Sequence, residues 1–222
     1  MRRSTLLITV IVAFGVLYLA ATAVLGSPPD AGDDAGTVAA WFGDHGGHVR
    51  TWLWLLTVAS PLFAVYAALV RAALPAVYRD VFFAGAVAFL AETAVQGWLW
   101  AALALHGSAA SEGTVQLIFA AASYWGPVLT STTVMMLAPV AVLGLGRADW
   151  PRWLGVVAAV AVAEQLVETV TVFGKTGFIA PGGPMNALLG AAVTAVALIS
   201  LGVAAAHRQP DIAARDGQAA GR

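Results

Sequence analysis

The sequence predicts an all-α polytopic membrane protein, a bundle of six transmembrane helices with both ends of the chain in the cytoplasm. Three observations predict it. Of 222 residues, 60% are hydrophobic and only 10% charged, where a soluble domain carries roughly 25% charged residues, and mean hydropathy is +0.83. Apolar runs close to the ~20 residues that cross a hydrocarbon core recur along the chain. Lys and Arg are also segregated. Arg2, Arg3, Arg71, Arg79, Arg147, Arg152, Arg208, Arg215 and Arg222 fall in one set of loops, and only Arg50 and Lys175 in the other. Cytoplasmic loops carry that excess. Nine against two therefore places both ends inside the cell membrane and requires an even number of spans.

The first helix, about 5–26, follows a basic start. Its apolar run exceeds the ~7–15 residues of a signal-peptide core, so it reads as an uncleaved helix. Residues 27–50, rich in Gly, Pro and Asp, read as a solvated loop with a short interfacial stretch at 38–42. The second helix is expected at about 51–70 and the third at about 80–105, separated by a short basic turn. A second interfacial stretch, 114–124, leads to Gly126-Pro127. Proline suits a first helical turn, where its missing N–H is not needed, so the fourth helix runs about 127–145. After a basic turn the fifth covers about 153–174. A Gly/Pro loop, 175–184, leads to the sixth at about 185–206. Residues 1–206 thus form one transmembrane domain, and 207–222 a polar tail expected to be disordered. Trp52, Trp54, Trp98 and Trp100 fall in the outer half and Trp150 and Trp153 at the inner boundary, as in interfacial aromatic belts.

The chain writes one pattern twice. Arg71-Ala72, Pro75 and Leu90-x-Glu92-Thr93 recur as Arg147-Ala148, Pro151 and Leu166-x-Glu168-Thr169, every match at an offset of 76 residues. The unit is an outer stretch, a descending helix, a basic proline-marked turn and an ascending helix holding a glutamate. Two copies would span about 37–107 and 114–183 in the same direction, as in parallel transporter repeats.

Glu92 and Glu164 lie near the midpoints of their helices, with Glu168 one turn beyond Glu164. A charge at such depth costs roughly 2.5–3.5 kcal/mol on insertion scales, so these groups should face the bundle interior. Away from water a carboxyl group favours its neutral form, and two close carboxyls share a proton. At 100° per residue, Phe89, Glu92, Gln96 and Trp100 share an arc of about 80°. Glu164, Glu168, Thr171 and Lys175 form a second stripe, flanked by Gln165. On the fourth helix Ser131 shares a face with Met135, within a run of four hydroxyls at 130–133. The predicted site is a polar seam among the third, fourth and fifth helices. Its candidate catalytic residues are Glu92, Glu164 and Glu168. Its candidate substrate-binding residues are Phe89, Gln96, Trp98, Trp100, Tyr124, Trp125, Ser131, Met135 and Thr171. Gln96, Gln165, Thr132 and Asn186 also fit plain interhelical hydrogen bonding.

Absence of cysteine excludes disulfides, thiolate catalysis and Cys-ligated metals. No cofactor or metal is expected: Asp44, His45 and His48 sit in a Gly-rich stretch with no rigid spacing, and no histidine falls inside a predicted span. There is no phosphate loop, no nucleophile elbow and no basic patch for nucleic acid. The expected partners are the bilayer and a small lipophilic molecule. Two functions fit. One is an intramembrane enzyme in which a glutamic acid protonates an alkene or epoxide and aromatic faces stabilise the carbocation, a terpene-type cyclisation or isomerisation. The other is a proton-coupled transporter or exporter of a small hydrophobic compound, for which six spans are few unless the chain is a homo-oligomer. A non-catalytic membrane assembly partner is the third alternative. A cavity closed towards the cytoplasm would favour the enzyme, and a path through both faces the transporter.

Overall fold

The computed structural model describes residues 3–107, 109–147 and 149–208, and is all-α. The sequence elements expected at 1–2 and 209–222 lie outside the described residues. Among the described residues there are seven α-helices: α1 (Arg3–Leu25), α2 (Ala35–Arg71), α3 (Ala76–His106), α4 (Glu112–Ser123), α5 (Trp125–Gly146), α6 (Arg152–Glu168) and α7 (Ala191–Arg208). Six stretches are long and apolar enough to cross a membrane, with α4 and α5 counted together. The chain has the make-up of a multi-pass membrane protein.

Each α-helix is amphipathic only weakly, as expected of segments that face lipid on one side and apolar neighbours on the other. The six long helices close into a ring in the order α1, α2, α3, α5, α6, α7, with α7 returning to α1 and α4 lying across α2 and α3. Neighbours are antiparallel throughout. At one end the turns carry Arg71, Arg79, Arg147 and Arg152, and α7 delivers Arg208 there. Arg71 pairs with Asp80 at 2.8 Å and Arg147 with Asp149 at 3.0 Å. The Arg147 guanidinium beside Asp149 holds its carboxyl below the usual carboxylate range. The Arg208 guanidinium lies 4.3 Å from the Trp150 ring centre.

The expectation of a loop at 27–50 needs correction, because α2 starts at Ala35 and runs 37 residues without interruption. At 1.5 Å per residue it is about 55 Å long, well beyond a ~30 Å hydrocarbon core. Asp34 starts it, accepting the Thr37 N–H at 2.9 Å in the manner of an N-cap. Tertiary packing then overrides the low helix propensity of Gly43, Gly46 and Gly47. Val38, Phe42 and Val49 are buried, and Gly46 faces the Ala104 carbonyl, which a Cβ would approach to 3.0 Å. The predicted interfacial stretch at 114–124 is the helix α4. Its Ser111 cap accepts the Thr114 N–H at 3.3 Å, and its Val115 and Phe119 are buried against α2 and α3. Pro75 and Pro151 stand as extended residues just before α3 and α6. The preceding helices end differently, α2 at Arg71 and α5 one position earlier in the pattern, at Gly146, with Arg147 extended.

Two further boundaries differ from expectation. The α-helical part of α6 ends at Glu168 and continues as a 3₁₀ turn over Thr169–Phe173. The last span opens with a π-helical turn, Met185–Gly190, before α7. Residues that read as one helix in each case are divided at the same depth.

Two apolar clusters fill the ring. One, including Leu7, Tyr66, Phe82, Leu137, Leu154 and Leu201, occupies the end with the basic turns. The other gathers Phe42, Trp52, Trp100 and Phe119 beneath α4, with ring centres of Trp52 and Trp100 5.1 Å apart. Within the first cluster the buried Tyr66 hydroxyl donates to the Leu198 carbonyl, and Gly202 gives its ring room. Tyr66→Phe should lower stability by about 0.5–1.5 kcal/mol, read as a fall in the thermal midpoint in detergent. An unchanged midpoint would show that this bond does not hold α7 to α2.

Candidate functional site

α6 and the π-helical turn bring three polar side chains to one point. Glu168, the last α-helical residue of α6, is only 3% exposed. Gln165 lies one turn earlier on the same face, and its Nε2 donates to Glu168 Oε2 at 2.6 Å and to Glu164 Oε2 at 2.9 Å. From the facing segment, Asn186 Nδ2 donates to Glu168 Oε1. Asn186 Oδ1 in turn accepts the Gly182 N–H at 3.0 Å. Both oxygens of Glu168 therefore hold an amide donor, and the Gly/Pro loop before the last span is tied to the same network.

Two glycines make this approach possible. A Cβ at Gly190 would overlap the Glu168 carboxyl, and one at Gly126 would lie 2.8 Å from Asn186 Oδ1. The π-helical turn is a form that recurs at functional sites, and here it carries Asn186. Asn186→Ala removes one of the two donors and leaves a buried carboxyl oxygen unpaired. It should cost about 1–3 kcal/mol of stability, measured as a lowered unfolding midpoint in detergent. Asn186→Asp should cost more, because it sets two carboxyls against each other.

Glu168, Gln165 and Asn186 form part of the wall of a cavity of about 380 Å³, within the size range of small-molecule sites. The cavity lies between the two apolar clusters, in the half of the bundle away from the basic turns. No wall residue precedes Phe14, falls between Phe63 and Phe89, or lies beyond Leu198, so the packed cluster around Tyr66 closes that end. The wall is mostly apolar and aromatic, with Trp52, Phe63, Phe89, Trp100 and Phe119 among its members. Thr22 of α1, Leu188 of the π turn and Ala195 of α7 belong to the wall and are also exposed. Gly26, Ser27 and Pro184 of the adjoining loops are exposed wall residues as well. The cavity thus reaches the surface beside α1, the last span and the loops that precede α2 and the π-helical turn.

Of the residues singled out from the sequence, Phe89, Gln96, Trp100, Trp125 and Glu168 line this cavity. Glu92 does not. It is half-buried, faces α5 and accepts from the Thr132 hydroxyl at 3.2 Å. Glu164 sits behind Gln165, its Oε1 buried without a hydrogen-bond partner. Trp98, Tyr124, Ser131 and Met135 are on the outer surface. Thr171 is fully buried in the 3₁₀ turn, outside the wall. The predicted seam is therefore two separate features, an α3–α5 contact at Glu92 and a cavity site at Glu168. The contribution of α1, through Phe14, Tyr18 and Thr22, went unread in the sequence. Tyr18 and Thr22, a polar pair one turn apart in an apolar helix, were the available signal.

Asp44, His45 and His48 lie on α2 rather than in a loop. His45 stacks on Trp41 with ring centres 4.8 Å apart, and its Nδ1 lies 3.0 Å from the Trp41 carbonyl oxygen. Among the described residues no three metal-ligating side chains converge. The chain matches no protein-family model, no curated protein and no solved structure.

Proposed function

We propose that the protein is an integral enzyme of the cell membrane that isomerises or cyclises a lipophilic, isoprenoid-like substrate by proton transfer, with Glu168 as the acid. The observation that carries this reading is a buried carboxyl group on the wall of a mostly apolar cavity that reaches the surface beside α1 and the last span. A lipophilic molecule can enter there and meet the acid in apolar surroundings. Glu168 gives its proton either to an alkene, whose π pair forms the new C–H bond, or to an epoxide oxygen, whose lone pair forms the O–H bond. In the epoxide a ring C–O bond breaks with its pair going to oxygen. Either way a carbocation is left. The faces of Trp52, Phe63, Phe89 and Trp100 are available to stabilise the charge. Attack by a second alkene closes a ring, and loss of a proton from the adjacent carbon to the Glu168 carboxylate forms the product and restores the acid. Between those steps the N–H groups of Gln165 and Asn186 hold the anion, a charge-assisted arrangement stronger than a neutral one.

We place the basic end of the bundle in the cytoplasm, on the strength of the Lys and Arg distribution. We also read 37–107 and 114–183 as a parallel duplication. In support, α2, Pro75 and α3 follow one another as α4–α5, Pro151 and α6 do.

A second reading, proton-coupled transport, draws on one observation: both segments that meet at the site leave α-helical geometry there, as discontinuous helices do at transporter sites. Against it, the cavity ends at the packed half of the bundle. The test is expression in an isoprenoid-producing bacterial host, with organic extracts of cells and medium compared by mass spectrometry against cells lacking the protein. A new compound of unchanged mass and altered retention supports the enzyme. A known compound redistributed between cells and medium supports transport. No difference in hosts producing linear isoprenoids of several lengths overturns both and leaves an assembly role.

A further inference from the structure

Some of the hydroxyls on the cavity wall are committed. Thr130, Ser123, Ser60 and Thr93 each donate to a carbonyl of their own helix, at 2.7 Å, 2.8 Å, 2.8 Å and 2.8 Å. Tyr18, Ser27, Thr133 and Thr194 line the wall without such a bond among the described residues. The indoles of Trp100 and Trp125 stand apart because their unpaired donors are buried. Both belong to the wall, both have a buried Nε1–H, and neither has an acceptor among the described residues. An indole N–H is a donor only, and buried tryptophans usually find a partner for it. The two are neighbours of α4: Trp100 packs on Phe119 with ring centres 5.9 Å apart, and Trp125 begins α5 just after α4 ends. Trp125 also adjoins Gly126, the residue against which Asn186 packs. Gln96, one turn before Trp100 on the same face, lines the cavity as well. Unpaired donors thus stand at the α4 end of the cavity, while the acid stands beside α7.

We infer that the cavity is built for an oxygenated lipid, a hydrophobic chain carrying an epoxide, ether or carbonyl oxygen, received by the indole N–H groups of Trp100 and Trp125. A pure hydrocarbon would fill the apolar wall and leave both donors without a partner. This inference rests on the reading of the cavity as a lipid site and narrows its substrate class. The competing account of Trp100 is an N–H directed at an aromatic face, since Trp41 and Phe42 stand edge-on to it at 79° and 75°. Such contacts are weak and would give no preference for oxygen.

The experiment measures equilibrium binding to the full chain in lipid nanodiscs, with empty nanodiscs subtracted. The probes are a linear sesquiterpene epoxide and its parent hydrocarbon. The protein should bind the epoxide about tenfold more tightly, the ratio expected for one to two net hydrogen bonds. Trp100→Phe and Trp125→Phe, which keep an aromatic ring and lose the donor, should each shrink the ratio, and the double variant should bring it close to one. A monodisperse elution profile and a thermal midpoint matching the unaltered protein show that the variants folded. A ratio near one in the unaltered protein overturns the inference. So does a full ratio in the double variant, or no binding of either probe to folded protein. Turnover by the unaltered protein separates this from the catalytic reading. If turnover proves absent while the ratio and its dependence on the tryptophans hold, the binding inference stands and the enzyme reading falls. If product forms and the ratio is one, this inference alone is wrong.

Discussion

If the proposed acid is right, Glu168→Gln should lower turnover by about 10²–10⁴-fold, the range that general acid catalysis contributes, while the bundle stays folded. Glutamine keeps the size of the side chain and one acceptor oxygen, so the Asn186 or Gln165 contact survives on that side. On the other side an amide NH₂ meets an amide donor, and one hydrogen bond is lost at a cost of about 1–3 kcal/mol. The chemical loss is larger and separable: an amide has no proton to give to an alkene. Glu168→Asp retains the acid but withdraws it from both amide donors, and should fall between the two. Glu92→Gln is the control. Glu92 lies off the cavity wall and accepts only from Thr132, so the variant should retain turnover within a few-fold. The measurement is product formed per unit of correctly inserted protein. Equal losses in the Glu92 and Glu168 variants would sink the assignment of the acid.

Gly155→Leu should prevent the α5–α6 pair from packing. At this crossing the two backbones touch: a Cβ on Gly155 would lie 2.6 Å from the Leu145 nitrogen, and one on Gly144 would overlap Gly155. Small residues at such crossings let membrane helices approach closely. Backbone cannot rotate aside as a side chain can, so the whole pair must separate, pulling the buried Leu143 and Leu154 out of the cluster. Overpacking in a core costs about 1–3 kcal/mol when neighbours can adjust, and here the cost should exceed that range. The predicted result is loss of the monodisperse species in detergent, or a collapse of the thermal midpoint. Gly15→Ala makes the contrast. Nothing lies within 4 Å of its Cβ, and alanine gains about 0.8–1 kcal/mol of helix propensity over glycine. If Gly155→Leu melts with the unaltered protein, the crossing is looser than described.

The six spans were legible because burial in lipid demands long apolar runs, and composition alone exposes them. The proline-marked turns were legible for a similar reason, since proline constrains the backbone locally. The extent of α2 was not. Gly43, Gly46 and Gly47 read locally as a loop, and only contact with Ala104 and α4 makes a helix there. Nor does a helical stripe say which helix faces it. Glu92 and Glu168 occupy matching places in the repeated pattern, yet one meets a threonine of α5 and the other a cavity. Asn186 looked like an ordinary interhelical polar group because the π turn that aims it at Glu168 has no pattern in the sequence. Gly190 and Gly126 carried no signal either, since close approach is a property of two segments rather than one.

The order of helices around the ring has a consequence for biogenesis. The cavity wall joins α1 to the span that carries α7, two segments far apart in the sequence. During synthesis α1 can dock on α2 at once, but one flank of it stays bare until α7 has entered the bilayer. The acid is laid down on α6 before Asn186 and Gly190 arrive to receive it. Once α6 is made and before α7 joins it, the described helices form an open arc with Glu168 unpaired by Asn186. The cavity wall is thus completed only when the segment carrying α7 takes its place.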